Sequence, residues 1–178
     1  MLVVAMKRYS TLIFLLIVQV GCNPSTEYRF EVAQGDSTGI VSIENAEIAN
    51  LGLANESIVV SGVFSNRTSS VIYVRPCGGG RPTYTIEKLV GGAWVDAVLP
   101  VCSLKDVPPT ILNPGETIHH EIIISTNIEA YAVWQVPSLP GTYRVLYGLY
   151  ETHNEEGLSY GHLLPDEART SNIFKIAK

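Results

Sequence analysis

The chain is poor in charged residues, and those that it has are mostly acidic. Of its 178 residues 16% are charged, with 12 lysines and arginines against 17 aspartates and glutamates, for a net charge of −5. Proteins that bind nucleic acids need a basic patch to contact the phosphates, so this charge balance argues against that class. Apolar residues make up 46% of the chain, which supplies a core for one folded domain and argues against intrinsic disorder.

The sequence also lacks an apolar run long enough to cross a bilayer as a helix. Its longest run is TLIFLLIV, residues 11–18, whereas a spanning helix needs about 20 residues. The run follows Lys7 and Arg8 and is itself followed by the small residue Gly21. A basic segment, a short apolar core and a small residue, in that order, are typical of a secretory signal peptide. We therefore expect residues 1–21 to direct export.

The segment ends in Val20-Gly21-Cys22, which resembles the lipobox of bacterial lipoproteins. The resemblance implies that Cys22 is lipidated and becomes the first residue of the mature chain. It also implies a lipid anchor in a membrane of the cell envelope, facing the periplasm or the exterior. Gln19 departs from the family pattern, which has an aliphatic residue at that place. The alternative is an ordinary secretory signal with an incidental cysteine.

Cysteines are few, which excludes a scaffold held together by many disulfides. The three are Cys22, Cys77 and Cys102. If Cys22 carries lipid, an even pair remains in an exported domain, where disulfides persist. This predicts a disulfide between Cys77 and Cys102; the alternatives are two buried free thiols or, without any C-x-x-C spacing, a metal site.

The rest of the chain has the composition of an all-β domain, because Val, Ile, Tyr and Thr alternate with Gly and Pro. ESIVVSGVF (56–64) is apolar on both faces and predicts a central strand. TYTIEKLVGGAWVDAV (83–98) predicts a hairpin that turns at Gly91-Gly92. The segment AYAVWQV (130–136) predicts a further strand. In all we expect seven to nine short antiparallel strands in a β-sandwich.

The segment LPGTYRVLY (139–147) resembles the tyrosine corner of fibronectin type III and other immunoglobulin-like domains. Most of the chain also resembles uncharacterised bacterial lipoproteins that carry such a domain. The resemblance implies that the Tyr143 hydroxyl forms a hydrogen bond back to the preceding turn. It also implies an immunoglobulin-like β-sandwich over residues 38–178. The polar residues 22–37 are expected to form a flexible tether between membrane and domain. Trp94 lies between the two cysteines, and we expect it to be partly buried.

One sequence motif points to nucleophilic catalysis. GLSYG (157–161) matches the G-x-S-x-G elbow of serine hydrolases. That motif needs a preceding strand, a following helix and a histidine much later in the chain. His162 is too near in sequence and Pro165 follows. A flexible glycine loop is therefore the favoured interpretation of Ser159 and its neighbours.

Histidines and acids suggest metal binding only weakly. His153 and His162 share the segment 151–169 with five acidic residues, but without compact ligand spacing. His119 and His120 are adjacent on a predicted strand and should point to opposite faces. CGGGRP (77–82) lacks the ending of a phosphate-binding loop. We therefore assign no catalytic residue, no metal ligand and no cofactor.

These observations predict an envelope-anchored, non-enzymatic binding or structural module. Its contacts would be the membrane, through lipid on Cys22, and a protein partner that meets strand edges or the long loop from Glu151 to Arg169. The alternatives are a hydrolase or metal-dependent enzyme that uses the same loop, and a protease inhibitor on a similar sandwich.

Overall fold

The computed structural model describes residues 28–34, 39–49, 57–78, 81–100, 102, 107–126, 134–154 and 159–178. These ranges contain strands and one helix of four residues, so the predicted all-β class is confirmed. The elements are β1 (Arg29–Val32), β2 (Val41–Ala49), β3 (Ser57–Ser65), β4 (Ile72–Val74), β5 (Pro76–Gly78), β6 (Arg81–Pro82), β7 (Tyr84–Val90), β8 (Ala93–Val98), β9 (Thr110–Leu112), β10 (Thr117–Ser125), β11 (Gly141–Tyr147), β12 (Leu149–Tyr150), β13 (His153–Asn154), β14 (Ser159–Tyr160), α1 (Asp166–Arg169) and β15 (Phe174–Ala177).

Two antiparallel sheets form the sandwich. The larger has the order β1-β15-β11-β7-β8 and the smaller the order β10-β3-β2. Neighbours that are distant in the chain, such as β15 beside β11 and β3 beside β10, give the crossed connections of an immunoglobulin-like sandwich. Inward-facing residues of both sheets pack into one buried cluster.

Strand β3 is the centre of the smaller sheet, as its apolar sequence predicts. All nine of its residues pair with β10, and its residues are buried or half-buried on both faces. Opposite it, β11 contributes Tyr143, Val145 and Tyr147, none of which is exposed to solvent. Each such fully buried apolar side chain stabilises the fold by roughly 1.5–3 kcal/mol.

The β7–β8 hairpin turns where the sequence predicts it. Gly91 and Gly92 have φ angles of 60° and 87°, a region that glycine adopts without the steric cost other residues meet. A second turn lies between β9 and β10 at Asn113-Pro114-Gly115-Glu116, with Gly115 at a φ of 79°.

A third sheet, β12-β4-β9, extends the larger sheet at one end. Strand β12 continues in line with β11 after Gly148. Strand β4 pairs with β12 as β7 pairs with β11, so β4 and β7 run in the same direction. Between β4 and β7 the chain makes the hairpin β5–β6, which carries Cys77. Gly148 therefore separates β11 from β12.

Two sequence predictions need correction. Residues 29–32 belong to the domain rather than to a tether over 22–37, because Phe30 and Val32 alternate with charged residues and pair along β15. The loop over 151–169 contains the β13–β14 hairpin and α1. Most of the strand expected over 130–136 lies outside the described residues; within them, Trp134 forms a bridge with Val98. The predicted signal segment and Cys22 lie outside the described residues.

Candidate binding site

The outer face of the β12-β4-β9 sheet carries a row of apolar and aromatic side chains. Tyr73 pairs with Ile111 on one side and with Tyr150 on the other, and Tyr150 in turn forms a bridge with Leu163. Paired residues of neighbouring strands point to the same face of a sheet. Ile111 and Leu163 at the ends of the row are 48% and 44% exposed. Three strand positions and one bridge position thus form one continuous surface row.

The β13–β14 hairpin folds onto this row through its aromatic residues. The His153 ring lies 5.8 Å from Tyr73 and 5.0 Å from Tyr160, and Tyr160 lies 4.7 Å from Tyr150, measured between ring centroids. Such tilted ring pairs contribute about 0.5–1.5 kcal/mol beyond their buried area. The hairpin is held in place by these contacts.

A cation completes the cluster. The Arg75 guanidinium lies 5.5 Å from the centre of the Tyr160 ring. Burial raises the pKa of the Tyr160 hydroxyl, with the charge of Arg75 acting in the opposite direction, so this hydroxyl is neutral and can donate or accept a hydrogen bond. We call Tyr73, Arg75, Tyr150, His153 and Tyr160, with the flanking Ile111 and Leu163, the aromatic patch.

The hydrolase motif does not have the surroundings of a nucleophile elbow. Ser159 is exposed on β14, paired with Asn154, and no helix follows it directly. A Cβ atom at Gly161 would collide with the Thr152 hydroxyl, so close packing accounts for the second glycine of the motif. Residues 155–158 lie outside the described part.

In the described part of the loop, the histidines do not come together with the acids. His153 packs in the aromatic patch, whereas His162 is exposed. Among the described residues no three His, Cys, Asp or Glu side chains are close enough to hold one metal ion. Within the same ranges no helix is long and apolar enough to cross a bilayer.

The two predicted structural links are present. Cys77 and Cys102 form a disulfide with their Cα atoms 4.5 Å apart. The bond ties the β5–β6 hairpin to the chain that follows β8. At the predicted corner the buried Tyr143 hydroxyl donates a hydrogen bond to the Leu139 carbonyl.

His119 and His120 point to opposite faces of β10, as predicted. The exposed His119 lies 3.4 Å from the Glu44 carboxylate. The half-buried His120 stacks on Phe64, with ring centroids 4.1 Å apart, and shares a hydrogen bond of 2.6 Å with the Tyr147 hydroxyl. Burial, with a smaller contribution from His119, lowers the pKa of His120 to about 4. A neutral imidazole in the sandwich interior is a packing element.

Trp94 is half-buried, as expected, but its neighbour was not foreseen. The Arg144 guanidinium lies 4.4 Å from the centre of its ring and also pairs with Glu87 at 2.5 Å. The fully packed tryptophan of the sandwich is instead Trp134, whose ring N–H donates to the Ser125 carbonyl.

Sequence reasoning missed the aromatic patch as a unit. Its residues come from five strands, the connection after β4 and a bridge position, between residues 73 and 163, and only the register of those strands aligns them. The available signal was local: Tyr73 alternates with the buried Ile72 and Val74, which marks it as outward-facing.

Comparisons with known proteins assign the chain to no family. No family model matches the chain, and no curated protein is significantly similar to it.

Proposed function

We propose that the protein is an envelope-anchored, non-enzymatic binding module that uses the aromatic patch to bind a protein partner. The single observation that supports this most is the continuous row of outward-facing residues on the β12-β4-β9 sheet, with Ile111 and Leu163 about half exposed at its ends. Tyrosine and arginine are the side chains most often found, with tryptophan, at the energetic centres of protein interfaces.

The chemistry of the patch suits binding better than catalysis. Its rings are held by each other, so little side-chain entropy is lost when a partner covers them. Tyr150 and Tyr160 combine an apolar ring with a hydroxyl, and Arg75 adds a cation at the edge. These groups offer apolar contact and hydrogen bonds to one surface.

The position of the patch also suits an anchored protein. Strand β1 begins at Arg29, which pairs with Ala177 at the end of the larger sheet where β11 begins. The aromatic patch lies beyond the opposite end of the sheet, where β11 ends. A chain tethered through Cys22 would therefore carry the patch on the side away from its anchor.

The proposal is tested by cross-linking and affinity capture from the envelope, using the full chain. The test variant combines Ile111→Asp with Leu163→Asp, which places two charges on exposed ends of the patch. We expect the partner captured by the wild-type chain to be lost, because interface cores exclude unpaired charge.

The matched control combines Leu99→Asp with Ile123→Asp, which are 42% and 37% exposed and lie outside the patch. Capture should survive in this control. Equal capture by both double variants would reject the patch as the binding surface. Labelling by a fluorophosphonate probe or stoichiometric bound metal would favour the enzyme alternative instead.

A further inference from the structure

The tip of the β7–β8 hairpin is apolar and exposed. Residues 89–95 read LVGGAWV and contain no charged side chain. Leu89, Val90 and Val95 are 39%, 49% and 39% exposed, and the glycines between them are exposed as well. Contiguous apolar surface of this kind marks a site that contacts a protein or a membrane.

Both faces of the tip are apolar. Leu89 pairs with Trp94 on one face, and Val90 pairs with Ala93 on the other. The nearest charges on the outer face are Glu87, Arg144 and Asp96. Glu87 pairs with Arg144 below the tip, and the exposed Asp96 lies opposite Glu87 at the same level. A protein interface usually uses one face of a sheet, whereas a hairpin that enters an apolar medium needs both faces to be apolar.

Strand register places this tip beside the amino-terminal end of the domain. Arg29 pairs with Ala177, Ile176 pairs with Gly141, and Tyr143 pairs with Lys88. Continuing the last pairing by two residues brings Gly141 level with Val90. Arg29 and the hairpin tip therefore lie at the same end of the sheet. Three strand spacings separate β1 from β7 and four separate it from β8, about 14 to 19 Å.

The covalent chain limits how far this end can lie from Cys22. Seven Cα–Cα steps connect Cys22 to Arg29, and they cover at most about 25 Å. An anchor at Cys22 would hold the β1 end of the sheet, and with it the hairpin tip, close to the bilayer. This step rests on the anchoring part of the proposed function.

We infer that residues 89–95 dock into the interfacial region of the bilayer that holds the anchor. Trp94 has the amphipathic ring that is enriched at the membrane–water boundary. Arg144 lies over that ring, and its guanidinium can remain among the headgroups while the ring contacts the acyl chains. The exposed basic residues Arg29 and Lys178 at the same end complement anionic lipids.

The test uses the full chain reconstituted into vesicles of phosphatidylglycerol and phosphatidylethanolamine, with and without brominated acyl chains, which quench tryptophan at short range. We expect brominated lipid to reduce the emission of Trp94. The Trp94→Phe variant should lose the quenching, because the remaining tryptophan, Trp134, is only 7% exposed in the sandwich.

The variant that decides the test places two negative charges on the hairpin tip. Leu89→Asp combined with Val90→Asp should remove the quenching, because burying carboxylates in the interface is costly. The matched control, Ile111→Asp with Leu163→Asp, adds the same charge at the other end of the molecule and should leave quenching unchanged. Near-ultraviolet circular dichroism checks that each variant keeps its packing.

The outcomes separate this inference from the proposed function. The vesicles contain no protein partner, so the result does not depend on the aromatic patch. A chain that floats with the vesicles while its Trp94 emission stays unquenched overturns the inference alone. Cross-linking of the tip to a second copy, in place of quenching, would also overturn it. A chain that does not float removes the anchor and the inference together.

Discussion

At the scale of single residues, His120 has the most constrained environment among the histidines that the structure describes. Its ring stacks on Phe64, and its Nε2 atom meets the Tyr147 hydroxyl. Its Nδ1 atom is buried and has no hydrogen-bond partner among the described residues. A Cβ atom at Gly62 would come within 2.8 Å of the ring, so glycine in the middle of β3 makes room for the imidazole.

We predict that His120 makes stability depend on pH between 6.5 and about 4. Burial lowers its pKa from 6.5 to about 4 in the folded protein, so in that range the unfolded chain binds a proton that the folded chain does not. Stability is therefore full above pH 6.5 and falls as the pH drops through the window, by at most about 3 kcal/mol. Denaturant unfolding across this range measures the loss.

The neighbouring histidine provides the control. His120→Gln keeps an acceptor for the Tyr147 hydroxyl and should flatten the pH dependence, whereas His119→Gln, on the solvent face, should retain it. An unchanged profile in His120→Gln would mean that other groups cause the acid sensitivity.

Local sequence patterns determine some residue positions and leave others open. Tyr143 follows Leu139 at a fixed spacing within one turn, so its hydrogen bond to the Leu139 carbonyl was predictable. The partners of His120 come from β3 and β11, far away in sequence. A pattern with a period of two assigns a face to a residue but does not name its partners.

At the scale of elements, the Cys77–Cys102 disulfide joins strand β5 to the chain after β8 over a sequence separation of 25 residues. We predict that replacing both cysteines with alanine lowers the free energy of unfolding by roughly 2–4 kcal/mol, mainly because the unfolded chain gains freedom. Denaturant titration under non-reducing conditions measures this difference.

The bridge should be structural only. Capture of the partner by the double alanine variant should survive in mild conditions, because the aromatic patch contains neither cysteine. A single replacement should do more harm, since the free thiol can pair between molecules. Two titratable thiols in the exported wild-type protein would contradict the bridge.

Elements with strong local signals were predictable, and the weaker ones were not. The β7–β8 hairpin has seven alternating residues, a glycine pair and a second strand, so both its existence and its turn followed from sequence. Strand β1 has four residues among polar neighbours and is formed by pairing with β15, about 145 residues away along the chain. Two-residue strands such as β13 and β14 depend on the packing of His153 and Tyr160. Tertiary contact, rather than intrinsic propensity, forms these elements.

At the scale of the whole molecule, the sandwich has two different ends. One has the start of β1 and the apolar hairpin tip, and the other has the aromatic patch. The larger sheet joins them, because β11 and β12 run from Gly141 to Tyr150 with a break only at Gly148. The sequence predicted the hairpin but neither its place at the β1 end nor the aromatic patch, because strand register determines both. This difference between the two ends suits the proposed domain, which would contact a membrane at one end and a partner at the other.

The corresponding whole-molecule prediction concerns the anchor. We predict that Cys22→Ser moves the protein from the membrane fraction to the soluble envelope fraction or impairs its maturation, because the thiol is the expected site of lipid attachment. Stable anchoring needs more than one acyl chain, so contact by the hairpin tip alone should not retain the variant. Fractionation, followed by intact-mass analysis of the wild-type amino terminus, measures both effects. Cys77→Ala with Cys102→Ala is the matched control and should stay with the membrane. An unmodified mature amino terminus at another residue would contradict the anchor and, with it, the docking of the hairpin tip at the bilayer.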